Sequence, residues 1–204
     1  MTDSDKATRL AAIHTAILED EVCPQLAEQA TQLVFGVGNP DADIMLVGEA
    51  PGKKEDEQGE PFVGAAGKFL DEMLASIGLE RGDVYITNIV KYRPPDNRDP
   101  LDTEIEEFMP YLLQQVQAIY PRLIVTLGRF AMNVFLPGVK ISQVHGQPKR
   151  LKGQVFLPLF HPAAALYNGG MRETLLQDFA RIPAIIDHIE AHTSQQNRKG
   201  VDNE

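Results

Sequence analysis

Residues 42–67 read ADIMLVGEAPGKKEDEQGEPFVGAAG, and the first half of that stretch sets the fold class. Its apolar run, Ile44 to Val47, is too short for a helix and lies between the turn residues Asn39-Pro40 and Pro51-Gly52. It therefore reads as a strand buried on both faces. VYITNIVKY at 84–92 and RLIVTLG at 122–128 have the same character, and a fourth run, QVFLPLF, follows at 154–160. A basic hairpin or loop, GQPKRLKG, precedes the fourth.

Between these runs lie helical patterns. GAAGKFLDEMLASIG can stop at Gly78, and DTEIEEFMPYLLQQVQAIY has Asp102 as a candidate cap. Residues 4–32 carry Leu10, Ile13, Ile17 and Leu18 at helical spacing, with a break at Pro24, and 172–192 form an amphipathic helix. Strands alternating with helices predict an α/β fold, a three-layer α/β/α sandwich around a central, mostly parallel four-stranded sheet. At 204 residues and 43% apolar content the chain suits one domain, over 1–193, with SQQNRKGVDNE at 194–204 as a disordered tail.

In such sheets ligands bind beyond the carboxyl ends of the strands. Gly48-Glu49-Ala50-Pro51-Gly52 follows the first strand, Asn88 lies near the end of the second, and Phe160-His161-Pro162 follows the fourth. The 47–67 stretch packs five glycines and five carboxylates, but GEAPGKK lacks the Gly-Lys-Ser/Thr ending of a phosphate loop, and the carboxylates would repel a phosphate. A loop that stacks Phe62 on something flat fits better, although a plain strand-to-helix connection has the same spacing. His161 can be a catalyst or a capped core histidine, and Asn88 can read a ligand or only satisfy backbone groups. No spaced set of Cys, His and carboxylates resembles a zinc site.

The net charge of −10 argues against a nucleic-acid partner until its distribution is read. Phe108 to Arg172 contains no Asp or Glu but holds Arg122, Arg129, Lys140, Lys149, Arg150, Lys152 and Arg172. Those cations either form one positive face or merely solubilise loops. No apolar run has the length of a membrane span, MTDSDKATRL lacks the pattern of a secretory signal, and the single cysteine, Cys23, suits a reducing compartment. A cytoplasmic monomer is expected.

Taken in order, these stretches resemble the uracil-DNA glycosylase superfamily, and most closely its family four, over roughly residues 20 to 185. GEAPGKKEDEQGEPFVGAAG is similar to that family's first motif, ITNIVKYRPPDNRDP to its second, LIVTLGR to a core strand, and LPLFHPAAAL to its closing histidine motif. The resemblance implies hydrolysis of the N-glycosidic bond of uracil in DNA after the base is flipped out. Glu49 and Ala50 would line the water side, Phe62 would stack on uracil, Asn88 would read its polar edge, Glu55 would sit near C5, and His161 would bond O2. Lys149, Arg150 and Lys152 would meet phosphates. A non-catalytic base-binding relative, or a glycosylase for hypoxanthine or a mismatched base, stays open. Family four holds a four-iron, four-sulfur cluster through four cysteines. Here the corresponding positions are Asp20, Cys23, Tyr92 and Phe108, so no cofactor is expected.

Overall fold

The computed structural model describes residues 3–201. Its sheet has six strands: β1 (Val37–Gly38), β2 (Ile44–Gly48), β3 (Tyr85–Asn88), β4 (Leu123–Leu127), β5 (Lys149–Leu151) and β6 (Gln154–Leu159), in the order β1-β3-β2-β4-β6-β5. The inner four, β3, β2, β4 and β6, are parallel and coincide with the four apolar runs. The expected count of four is corrected to six by short antiparallel edges, β1 on β3 and β5 on β6. Neither edge carries an apolar run: β1 is Val-Gly and β5 is Lys-Arg-Leu, charged as exposed edges commonly are.

Alternation along the strands divides the core in two. Met45, Val47, Ile124 and Phe156 point to one face, where α1 (Asp3–Glu19), α2 (Pro24–Ala27), α5 (Asp102–Ile119) and α6 (Arg129–Phe135) supply Leu10, Ile17, Leu26, Phe108, Leu112 and Ala131. Ile44, Leu46, Ile86, Val125 and Leu157 point to the other, against α4 (Ala65–Ser76), α8 (Gly169–Phe179) and α9 (Ile182–Val201) through Phe69, Met73, Leu175, Phe179 and Ile182. The short helices α3 (Lys53–Gln58) and α7 (Ile141–Val144) sit in the connections. This is the expected sandwich.

Two local expectations shift. The cap of α5 is Leu101, not Asp102, because Glu104 reaches back to accept from the Leu101 amide at 2.8 Å. The segment 194–201, expected as tail, continues α9 as far as Val201, while 202–204 lie outside the described residues. Among the described residues no helix is long and apolar enough to cross a membrane.

Candidate active site

Parallel register brings the informative residues to one end of the sheet. Gly48 at the end of β2 pairs with Asn88 at the end of β3, and Leu127 pairs with Leu159, two residues before His161. Glu49, Ala50, Glu55, Phe62, Asn88 and His161 all line one cavity of about 360 Å³, together with Gly52, Ala66, Asn97 and Ala163. That is room for one planar base with water beside it.

The acidic, glycine-rich loop holds Phe62. The Phe62 backbone has φ 56°, a left-handed conformation costing about 1–3 kcal/mol for a bulky residue unless its surroundings enforce it. Arg81 does so, donating to the Phe62 carbonyl at 3.1 Å and the Pro61 carbonyl at 2.6 Å while paired with Asp71. On the other side Glu55 Oε1 accepts from the Val63 and Gly64 amides at 3.0 and 2.8 Å. Asp56 accepts from the Thr31 amide and hydroxyl, both at 2.8 Å. Two of the loop's carboxylates are thus internal clasps. Its glycines allow close approach: a Cβ at Gly67 would sit 1.7 Å from the Phe62 carbonyl oxygen, and one at Gly48 would sit 2.3 Å from Asn88 Oδ1 and 2.6 Å from Phe62 Cζ.

Asn88 is buried, and its side-chain amide makes no hydrogen bond to the described residues. The amide opens on the cavity, so its donor and acceptor are available to a ligand with complementary edges. His161 caps the turn Pro162–Ala165: its Nδ1 accepts from the Ala163 amide at 3.2 Å, which leaves the ring proton on Nε2. Its ring lies 5.6 Å from that of Phe62, at 26°. Burial pushes the His161 pKa down to about 4, against the opposing pull of Glu55, so the ring is a neutral donor at physiological pH. Glu49 is half-buried, and its pKa is pushed up to about 7, first by burial and then by Asp99, with Arg129 pulling the other way.

A scan of family models matches residues 35–181 to the uracil DNA glycosylase superfamily. The chain belongs to that superfamily. It is 51% identical to the type-4 uracil-DNA glycosylase of Archaeoglobus fulgidus over 80% of this chain and 91% of the relative. The enzyme of the same name from Sulfurisphaera tokodaii is 44% identical, over 85% and 83% of the two chains. That from Saccharolobus solfataricus is 41% identical, over 83% and 87%.

Around Cys23 this member of the superfamily is built for packing. Cys23 is fully buried, its amide donates to Glu107 at 2.9 Å, and its thiol lies 3.8 Å from the Glu104 carbonyl oxygen. Burial, and then Glu107, push the thiol's pKa up, which disfavours the thiolate a metal needs. Tyr92 and Phe108 meet edge to face at 6.0 Å, and Asp20 accepts from the Tyr111 hydroxyl at 2.6 Å. Arg98 grips buried Glu104 at 2.6 and 2.9 Å and ties down the 93–101 loop. One protonated thiol, two rings and an engaged carboxylate do not fit a cluster that takes four thiolates.

Lys149, Arg150 and Lys152 lie elsewhere. Arg150 pairs with Val155 at the amino end of β6, and Arg150 and Lys152 line a separate hollow of about 630 Å³ with Arg122 and Glu190. Lys149 stands on the same edge strand, its ammonium on Gln147 at 3.2 Å. That is the end of the sheet opposite His161, so the expected phosphate face at Lys149, Arg150 and Lys152 is not continuous with the cavity. Of the acid-free segment 108–172, Arg129 stands at the cavity end, and the other cations there come from elsewhere in the chain. Lys53 and Lys54 follow Gly52, Arg93 bonds Asn97 at 2.7 Å, and Arg129 begins α6 beside Glu49. Leu166 and Tyr167, 39% and 96% exposed, follow the histidine turn. Asn97, Arg81 and these two apolar residues were not picked out from the sequence.

Proposed function

We propose that this chain hydrolyses the N-glycosidic bond of uracil in DNA and leaves an abasic site, acting as a single chain in the cytoplasm. The observation that carries the reading is the meeting, in one base-sized cavity, of the Phe62 ring, the unpaired Asn88 amide and a neutral His161 with its proton on Nε2. The relatives named for uracil-DNA glycosylase activity support the choice of base.

The target base must leave the stack, at a cost of a few kcal/mol that stacking on Phe62 and hydrogen bonds in the cavity offset. Exposed Leu166 and Tyr167 suit the gap left in the duplex. As the C1′–N1 bond breaks, its electron pair passes to the base, and His161 Nε2–H donates to O2 as negative charge grows there. The sugar cation is captured by water beside Glu49 and Ala50, with the water's proton passing to Glu49. Ala50 offers no base of its own. The lone buried thiol suits a reducing compartment.

The decisive experiment treats duplex and single-stranded oligonucleotides carrying uracil, hypoxanthine or mismatched thymine, followed by alkali. Strand scission confined to uracil is expected. Scission at none of them leaves a binding protein, and scission at hypoxanthine or thymine moves the specificity.

A Glu49 base predicts a pH profile. A carboxyl protonated below about pH 7 cannot take the water's proton, so the excision rate climbs with a roughly unit log slope up to that pH and then flattens. Glu49→Gln should remove the step, and a step that survives assigns it to another group.

The chain is also proposed to work without an iron–sulfur cluster. The purified protein should be colourless and iron-free by elemental analysis, with a melting temperature unmoved by chelators. Stoichiometric iron would overturn this. Phosphate contacts are assigned to the cavity end: Lys53, Lys54 and Arg93 changed to Ala together should lower the log-salt slope of DNA binding by about 2 to 3, since each phosphate left without its cation lowers it by about 1. The triple change at Lys149, Arg150 and Lys152 should leave it in place.

A further inference from the structure

Lys91, three residues beyond β3, is completely buried, and its Nζ lies 2.6 Å from each of three oxygens: Thr87 Oγ1, the Asn88 carbonyl and Gln115 Oε1. None of the three is free to donate to it. The Thr87 hydroxyl gives its proton to the Phe35 carbonyl at 2.7 Å, and a carbonyl has none to give. Gln115 Nε2 points to the Phe35 carbonyl at 3.1 Å and the Tyr85 hydroxyl at 3.4 Å, which turns Oε1 toward Lys91. A neutral amine has two N–H groups and a lone pair, and that lone pair would face an oxygen; an ammonium has three N–H groups and satisfies all three. The Phe35 ring, 5.9 Å from Nζ, adds a further site that favours a cation. Burial alone pulls the other way. Three short bonds to oxygens, each of a kind that an ammonium strengthens, oppose it. Among the described residues no carboxylate pairs with Lys91.

An ammonium here is bonded to the backbone carbonyl of Asn88, a residue that lines the cavity. We propose that Lys91 is a buried ammonium that fixes Asn88 in position and supplies a standing positive charge beneath the base cavity, favouring the negative charge that develops on the departing base. The proposal rests on the glycosylase reading above. A fixed charge set in a dry interior acts without reorganising during the reaction, which is what makes such groups effective. Lys91 touches neither base nor sugar, so it is a positioning residue whose charge reaches the leaving group through Asn88.

A merely structural lysine would, when removed, slow excision of every base alike. A charge behind the leaving group makes a distinct demand: its loss should hurt a poor leaving group more than a good one. The test is single-turnover excision of uracil and of 5-fluorouracil, whose anion is the more stable, by the parent and by Lys91→Met. The parent excises both. Lys91→Met should lose about tenfold more rate on uracil than on 5-fluorouracil, and Lys91→Arg should restore part of the uracil rate. Equal losses on the two bases, or no loss, would overturn the proposal while leaving the glycosylase reading intact. A parent inactive on both would overturn that reading instead. Because Lys91→Met leaves three buried acceptors unpaired and can unfold, a second measurement uses the unaltered protein. With labelled lysine, the Nζ and Cε chemical shifts of Lys91 at neutral pH should be those of an ammonium, and the shifts of a neutral amine would sink the idea.

Discussion

His161→Ala lowers the single-turnover rate of uracil excision by about two to three orders of magnitude, the range set by losing one donor to a developing oxyanion. The expectation rests on the proton's location. The Ala163 amide occupies Nδ1, so Nε2 carries the only ring proton, and burial keeps the ring neutral down to about pH 4. A neutral donor strengthens as charge reaches O2 but contributes little to ground-state binding, so DNA affinity should hardly move. For the same reason the His161 contribution should show no titration between about pH 5 and 8, which separates it from the step assigned to Glu49. Melting curves control for loss of the cap on the turn Pro162–Ala165. A folded His161→Ala protein with near-full turnover would confine this histidine to capping.

How much of this was legible in the sequence depends on how local each signal was. The inner strands and α4 were legible because an apolar run bounded by turn residues, or a helical period ended by Gly78, is a property of contiguous residues. That Glu49, Asn88 and His161 meet in one cavity was legible because strand ends in α/β sheets converge, so positions far apart in the chain share one fate. β1 and β5 were not, since two or three residues without apolar alternation carry no signal. Nor were the clasps that make the site rigid. Arg81 reaches back 20 residues to Pro61, Lys91 reaches 24 to Gln115, and neither spacing recurs in any local pattern. Charge counting along the chain does not define a face in space, for a related reason. The acid-free segment 108–172 crosses the sheet from end to end and turns at Lys152, opposite the cavity, so charges adjacent in sequence are distributed over both ends of the fold. Glu55 was expected at C5 of uracil; it lines the cavity, but one carboxylate oxygen is committed to the loop that carries Phe62.

Asn88→Asp should cut uracil excision at least about a hundredfold, equivalent to about 2.7 kcal/mol of transition-state stabilisation. The Asn88 amide can accept from uracil N3–H and donate to O4, a pair of bonds that cytosine inverts, because cytosine presents an acceptor at N3 and a donor at N4. In the structure that amide is buried beside Gly48 with no protein partner, so its bonding capacity is held for what enters the cavity. Aspartate has nearly the same shape but no donor. Its carboxylate faces O4 as acceptor against acceptor in a site where water cannot relieve the mismatch, and unpaired buried groups of this kind are what make hydrogen-bonding sites discriminate strongly. An ammonium at Lys91, bonded to the carbonyl of this same residue, also keeps an introduced carboxylate ionised and prevents it from regaining a donor by taking a proton. The same reversal gives weak cytosine excision, since a carboxylate accepts from the N4 amine. Single-turnover cleavage of matched uracil and cytosine oligonucleotides, with a melting curve to show that the variant is folded, measures both effects. A folded Asn88→Asp protein that excises uracil within about tenfold of the parent would mean that Asn88 does not read the base, and the cavity would need a different reader.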